Sequence, residues 1–203
     1  MKVIAVARNY VDHAKELNNP VPTEPVLFMK PPNAVLKDNK PFYHPEFSNN
    51  IHYEGEIVLH ICKNGKHIKE KFAPDYFDAI TVGIDLTARD LQQKQKEKGL
   101  PWEISKSFDR SAVVGEFIPK SEFNDLYKIN FSLKKNGEIV QQGNTSDLIF
   151  KFEHLIAYSS IYFTFNIADL FYTGTPKGVG KITQGDVFEG FIETRKVLQC
   201  EIM

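Results

Sequence analysis

Ile51-His52-Tyr53-Glu54-Gly55-Glu56-Ile57-Val58-Leu59-His60-Ile61 is dominated by β-branched and apolar residues and reads as a strand. Successive side chains of a strand point to opposite faces. Tyr53, Gly55, Ile57, Leu59 and Ile61 therefore share one face, and Glu54 and Glu56 share the other with Val58. Two carboxylates so spaced sit roughly 6.6 Å apart at the backbone, close enough to reach one cation. Buried, they need a partner or a metal. At a solvated edge they need nothing. The stretch by itself leaves both possibilities open, and it makes a sheet with one polar face the centre of the fold.

Around that strand lies a chain of 203 residues, long enough for one well-formed core without a second domain, so a single domain over 1–203 is expected. The formal net charge is −1, which offers no basic field for nucleic acid. No apolar run approaches the roughly 18 residues of a membrane span. Met1-Lys2-Val3-Ile4-Ala5-Val6-Ala7 is too short an apolar stretch for a signal peptide and reads as a first strand. Cys62 and Cys200 make neither a metal pair nor a disulfide framework, which suits a reducing compartment. A cytoplasmic protein without nucleic-acid or membrane partners is expected.

Along the chain, Asn9 is placed to cap a short helix with Asp12 at its third position, and His13 and Glu16 then share a helix face. A loop bearing Pro20, Pro22, Pro25, Pro31 and Pro32 follows. Ala79 to Asp85 reads as a buried strand, and Thr87 with Asp90 as a capping box opening a helix of about ten residues that ends near Gly99. Lys128 to Lys134 and Glu138 to Gln142 flank Asn136-Gly137, the dipeptide favoured by a type I′ hairpin turn. A helix is expected from Asp147 to about Tyr162, with Phe152, Leu155, Ile156 and Ser159 on its apolar side, and two strands from Val187 to Met203. Sheet outweighs helix, so the class is α+β, mostly β, with a large mixed or antiparallel sheet.

Asp85 falls where a buried strand gives way to a helix, either as a third ligand or as a helix-entry acid facing the dipole. With no cysteine or histidine at ligand spacing, three acidic groups favour a hard ion, Mg²⁺ or Mn²⁺, over zinc. His13 with Glu16 is either a base held by its orienter or an ordinary surface pair. Lys106 either stabilises an enolate or faces solvent. The loop Thr173-Gly174-Thr175-Pro176-Lys177-Gly178-Val179-Gly180-Lys181 is no Walker motif, because Val179 stands where the second glycine belongs and Ile182 follows Lys181. It still suits close backbone approach to a small anion.

Taken in order, these motifs resemble the fumarylacetoacetate hydrolase family. They are Arg8-Asn9-Tyr10-Val11-Asp12-His13, Glu24-Pro25-Val26-Leu27-Phe28-Met29-Lys30-Pro31, His52-Tyr53-Glu54-Gly55-Glu56 and Gly83-Ile84-Asp85-Leu86-Thr87-Ala88-Arg89-Asp90-Leu91-Gln92. Lys98-Gly99-Leu100-Pro101-Trp102, Lys106-Ser107-Phe108, Thr145-Ser146-Asp147-Leu148-Ile149-Phe150 and Thr173-Gly174-Thr175-Pro176-Lys177-Gly178-Val179-Gly180 continue the match over nearly the whole chain. The chain is most similar to the short, single-domain acylpyruvase and oxaloacetate decarboxylase branch. It departs from the pattern where Gly115 is followed by Glu116 rather than proline, in a connecting segment.

The resemblance implies a mixed β-sandwich roll with a few short helices, a homodimer, and Mg²⁺ or Mn²⁺ held by Glu54, Glu56 and Asp85. It places His13 and Glu16 as the catalytic pair on a short lid helix and Lys106 as the active-site lysine. Gln92 and Thr175 fall on substrate contacts, and Arg8 and Lys30 sit in matched motifs as further substrate-binding candidates. The substrate is then a small oxo acid. Carbon–carbon cleavage of an acylpyruvate or decarboxylation of oxaloacetate would proceed through one enolate. A keto–enol tautomerase or isomerase of unsaturated oxo-dicarboxylates needs the same stabilisation, and an inactive metal-binding relative is the remaining alternative.

Overall fold

The computed structural model describes residues 1–16 and 20–203. Its largest sheet is mixed and orders its strands as Val26–Lys30, Val3–Ala7, Leu170–Tyr172, Gly55–Ile61, Phe77–Asp85, Ala112–Val114 and Val35–Leu36. Val3–Ala7 runs parallel to Leu170–Tyr172, and Val35–Leu36 parallel to Ala112–Val114; the remaining neighbours are antiparallel. A second, antiparallel sheet is built from Glu138–Asn144, Asn130–Lys135, Val187–Ile192 and Arg195–Glu201. Its hairpin turns at Asn136 (φ 54°) and Gly137 (φ 85°), both in the left-handed region that a type I′ turn requires.

The two sheets pack face to face. Ile57, Leu59, Ile80 and Val82 of the first meet Phe131, Leu133, Phe188 and Leu198 of the second in one apolar cluster. Burying each such side chain contributes about 1.5–3 kcal/mol. The opposite face of the large sheet carries a smaller cluster around Val3, Val58, Ala112, Leu170 and Tyr172. Ile57 and Val58 thus divide between the two clusters, as the period-two alternation requires. The expected α+β class and the sandwich roll both hold. Gly83 stands opposite Glu56, and a Cβ there would lie 2.7 Å from Val58 and 2.8 Å from Tyr172, so the centre of the sheet excludes any larger residue.

Five local expectations change. The strand around the glutamates is interrupted at Glu54: Ile51–Tyr53 joins a small sheet with Gly180–Lys181 and Thr87–Ala88, whereas Gly55–Ile61 enters the large one. At that break the Glu54 carbonyl accepts from the Asp85 N–H at 2.8 Å, joining the two expected ligands through the backbone. Asn9 does not cap the helix Val11–Glu16. Its buried amide donates to the Phe150 and Thr173 carbonyls and accepts from the Phe150 N–H, tying three segments together. Thr87 does not cap Arg89–Lys98; it sits in the short strand Thr87–Ala88, and its hydroxyl accepts from Lys106. Inside the proline-bearing loop, Val26–Lys30 is a strand paired with Val3–Ala7, prolines bracketing it without interrupting it. The last long helix is Phe152–Tyr162, preceded by a 3₁₀ turn at Thr145–Asp147 that Asn144 caps through the Ser146 N–H.

Candidate active site

Three elements deliver the carboxylates. Glu54 sits at the partner change, Glu56 projects from the polar side of Gly55–Ile61, and Asp85 ends the neighbouring strand Phe77–Asp85. All three are buried, and their ligand oxygens lie within 4.8 Å of one another. Unpaired, three buried carboxylates would repel strongly. The protein meets that with lysines. Lys106, itself buried, donates to Glu54 Oε2 at 2.7 Å, to Asp85 Oδ2 at 2.6 Å and to Thr87 Oγ1 at 2.7 Å. Arg89 pairs with Glu54 Oε1.

The charges divide unevenly. Burial alone would raise the Glu54 carboxyl, but Lys106 and Arg89 outweigh it and hold it well below the usual range. Burial would likewise lower Lys106, and Asp85 and Glu54 raise it instead. Glu56 has no cationic contact among the described residues; burial, then Asp85 and Glu54, push it well above the usual carboxylate range, against the single Gly174 N–H that donates to it at 2.6 Å.

Lys30 Nζ lies 2.7 Å from Asp85 Oδ1, yet its protons are directed at the Lys106 carbonyl and at the carbonyl and hydroxyl of Ser111, both at 3.0 Å. Asp85 Oδ1 is thus buried against the Lys30 ammonium. An uncompensated Glu56 and an all-oxygen donor set fit a hard divalent cation.

His13, buried on the helix Val11–Glu16, has its Nδ1 3.2 Å from Glu16 Oε2, while Glu16 Oε1 accepts from the Gly178 N–H at 3.0 Å. Asp12 pairs with Lys177 at 3.0 Å. The helix is thereby fastened to the glycine-rich loop, the same loop whose Gly174 reaches Glu56. Thr175 accepts from Gln141 at 2.8 Å, and Gln141 in turn accepts from the Gly55 N–H.

His13, Glu54, Glu56, Gln92, Lys106 and Thr175 line one polar cavity of about 30 Å³, together with Arg8. That is room for an ion and a water, not for a dicarboxylic acid. Arg8 is held at φ 62°, a left-handed backbone costing a residue with a Cβ about 1–2 kcal/mol.

Of the ten expected site residues, seven line the cavity: Arg8, His13, Glu54, Glu56, Gln92, Lys106 and Thr175. Asp85 and Glu16 stand outside the lining, in contact with Lys106 and His13 respectively, and Lys30 lies behind Asp85, fully buried, away from the space where a substrate would sit. Its contacts fix Asp85 and the Lys106 backbone. Sequence reasoning missed Arg89, Lys96, Phe28 and Trp102, which complete the walls. A usable signal existed for the first two: Arg89, Gln92 and Lys96 recur at i, i+3 and i+7 on the helix Arg89–Lys98, one polar stripe.

Comparison with known proteins identifies the family and the fold. The model of the fumarylacetoacetate (FAA) hydrolase C-terminal family matches residues 2–202. A mouse protein named as a mitochondrial oxaloacetate tautomerase is 42% identical over 191 residues, 94% of this chain and 86% of that one. A mitochondrial oxaloacetate decarboxylase of Dictyostelium discoideum is 42% identical over 189 residues, 93% and 87% of the two chains. The crystal structure of fumarylpyruvate hydrolase from Pseudomonas aeruginosa, in complex with Mn²⁺ and pyruvate, superposes with a TM-score of 0.93 at 35% identity, covering 100% of this chain and 89% of that one.

Proposed function

The chain belongs to the fumarylacetoacetate hydrolase family, and on that premise we propose that it is a divalent-metal-dependent enzyme of short 2-oxo acids, working through an enolate. Oxaloacetate decarboxylation and acylpyruvate hydrolysis are the reactions proposed. The observation that carries this reading is the convergence of three buried carboxylates, ligand oxygens within 4.8 Å, two of which, Glu54 and Glu56, line the cavity that also holds His13 and Lys106. Glu54, Glu56 and Asp85 would hold Mg²⁺ or Mn²⁺, which when bound supplies Lewis-acid polarisation of a keto oxygen.

This chain's own residues do the rest. Lys106 carries a buried ammonium at the cavity wall, whose positive charge would stabilise the oxygen on which enolate charge develops. Lys30 keeps Asp85 and the Lys106 backbone in place. Gln92 and Thr175 orient the substrate. His13, its tautomer set by Glu16, takes a proton from water when an acylpyruvate is hydrolysed. Decarboxylation needs no such water. The same histidine could take a proton from carbon beside the carbonyl, and for that reason tautomerisation, the activity named in the mouse relative, is the second reading.

Substrate entry requires the helix Val11–Glu16 to lift, since the cavity beneath it is too small. It is six residues long, and its fastenings, Asp12–Lys177 and Glu16–Gly178, are exposed hydrogen bonds that open at small cost. A complete set of ligands and a paired His13 speak against an inactive relative.

A homodimer is part of the proposal, supported by the exposed apolar side chains Met29, Leu100 and Ile104. So is a reducing setting: Cys62 and Cys200 are free thiols. The cytoplasm expected from the sequence satisfies that, as does the mitochondrion named for two relatives. No helix is long and apolar enough to cross a membrane among the described residues.

The deciding experiment is turnover of oxaloacetate, its enol form and acetylpyruvate with Mg²⁺, Mn²⁺ or chelator. Activity should require the ion and vanish in Glu56→Gln with the fold intact. Equal turnover in chelator, or full activity in Glu56→Gln, would overturn the proposal.

A further inference from the structure

The helix Arg89–Lys98 aims a stripe of three polar side chains at the cavity, and the members are not equally occupied. Arg89 is committed to Glu54 and donates to Gln92 at 2.7 Å. Lys96, one turn beyond Gln92, is half-buried, and among the described residues its ammonium has no carboxylate within ion-pair distance. Its ammonium lies 5.9 Å from the centroid of the Trp102 ring, and the side chain lines the same cavity as Arg89 and Gln92. Arg8 faces the same cavity from the end of the strand Val3–Ala7, on a left-handed backbone, and it too makes no hydrogen bond or ion pair among the described residues.

Two long cations beside one small cavity, both without an ion-pair partner among the described residues, make a positive wall distinct from the Lys106 and Arg89 contacts to the carboxylates of the proposed metal site. Burial, followed by Arg8 and Arg89, lowers the Lys96 ammonium from its ordinary value, so positive charge there is under strain from its surroundings. Arg8, Lys30, Arg89, Lys96 and Lys106 stand against Glu54, Glu56 and Asp85, an excess of cations before any metal is counted. A neutral methyl or aryl tail gains nothing from such a wall. A carboxylate does.

We propose that Lys96 and Arg8 form a reader for the far carboxylate of a dicarboxylic 2-oxo acid, so that this site selects dianionic substrates over acylpyruvates with an uncharged tail. This rests on the functional reading above, in which the near carboxylate and its neighbouring oxygen face the three acidic residues. The substrate then lies along the helix stripe: its reacting end by Arg89 and Lys106, its middle by Gln92, its far charge by Lys96 and Arg8. Trp102 and Phe28 form the flanking apolar walls, which fit the short carbon chain between the two charges.

The test uses two unreactive probes that differ only in the far group, malate (2-hydroxysuccinate) and lactate, bound to the Mg²⁺-loaded protein and followed by calorimetry. Wild type should bind malate more tightly than lactate by roughly 10²–10⁴-fold, the product of two charged hydrogen bonds. Lys96→Met keeps the stem that packs on Trp102 and removes the charge. It should lower the malate-to-lactate preference roughly 10- to 100-fold, the size of a lost charged hydrogen bond, by weakening malate alone. Lys96→Arg should retain most of the preference, and Arg8→Met added to Lys96→Met should abolish it. The ratio of kcat/KM for oxaloacetate over acetylpyruvate should fall in step. An unchanged preference in Lys96→Met, with unfolding curves like those of wild type, would refute the reader while leaving the functional reading intact. Equal binding of the two probes by wild type would do the same. Failure of both probes to bind would overturn the functional reading and the reader with it.

Discussion

Replacing Lys106 with methionine removes the one cation that touches both Glu54 and Asp85 while keeping a side chain of similar length. Lys106 is 3% exposed at its side chain, Glu54 6% and Asp85 1%, so solvent screens little of the pairing. Breaking a buried pair by deleting one partner costs about 3–5 kcal/mol, because the charge left behind is uncompensated. Arg89 still holds Glu54 and Lys30 still flanks Asp85, which places the expected loss near the lower end of that range. For a chain of this size 1 kcal/mol moves the melting temperature by about 2–4 °C, so a drop of roughly 6–12 °C is expected in chelator. The variant's carboxylates are then better placed to take a cation than those of wild type, where the ammonium competes for the same oxygens. Added Mg²⁺ or Mn²⁺ should therefore recover a larger part of the melting temperature in Lys106→Met than it adds to wild type. Scanning calorimetry of both proteins, with chelator and over a metal titration, measures this. Catalysis should still fail in the rescued variant, since the ion does not replace the ammonium at the enolate oxygen. A melting temperature within 2 °C of wild type in chelator would refute the electrostatic account of the site. A metal response no larger than that of wild type would show that the ammonium and the ion do not share those oxygens.

Two further outcomes follow from other residues. His13→Ala should lower acylpyruvate hydrolysis by roughly 10²–10⁴-fold and oxaloacetate decarboxylation by much less; parallel steady-state kinetics decide it, and equal losses would mean that His13 acts on a step common to both. Gly174→Ala should destabilise the protein by more than the ~1 kcal/mol usual for filling a left-handed glycine position, because a Cβ at φ 100° would stand 2.7 Å from Asn9 Cβ, and Asn9 is locked by its own hydrogen bonds. Gly99→Ala, at φ 62° with nothing within 4 Å, is the control for backbone strain alone, and equal losses in urea unfolding would remove the packing term.

Much of this protein was determined locally. Alternation over Ile57, Val58 and Leu59 set which side chains enter which apolar cluster, because a strand's period of two does not depend on its partners. Asn136-Gly137 set the hairpin through the φ values those residues tolerate, and Gly99 closed its helix for the same reason. The ordered motifs from Arg8 to Gly180 carried the family, and with it the expected ligands. What local patterns cannot contain is pairing across the chain. Asn9 and Thr87 have the chemistry of helix caps, yet each found a better use in a buried long-range contact, since an unsatisfied buried polar group costs more than a missing cap at an exposed helix end. Lys30 and Lys106 look alike in sequence. Only the register that brings Asp85 beside Glu54 shows one facing the cavity and the other sealed behind it. The same is true of Lys96: its helix phase was legible, but that its charge has no ion-pair partner among the described residues depends on every segment folded around it, because electrostatic compensation belongs to the assembled space and not to the stretch that carries the residue.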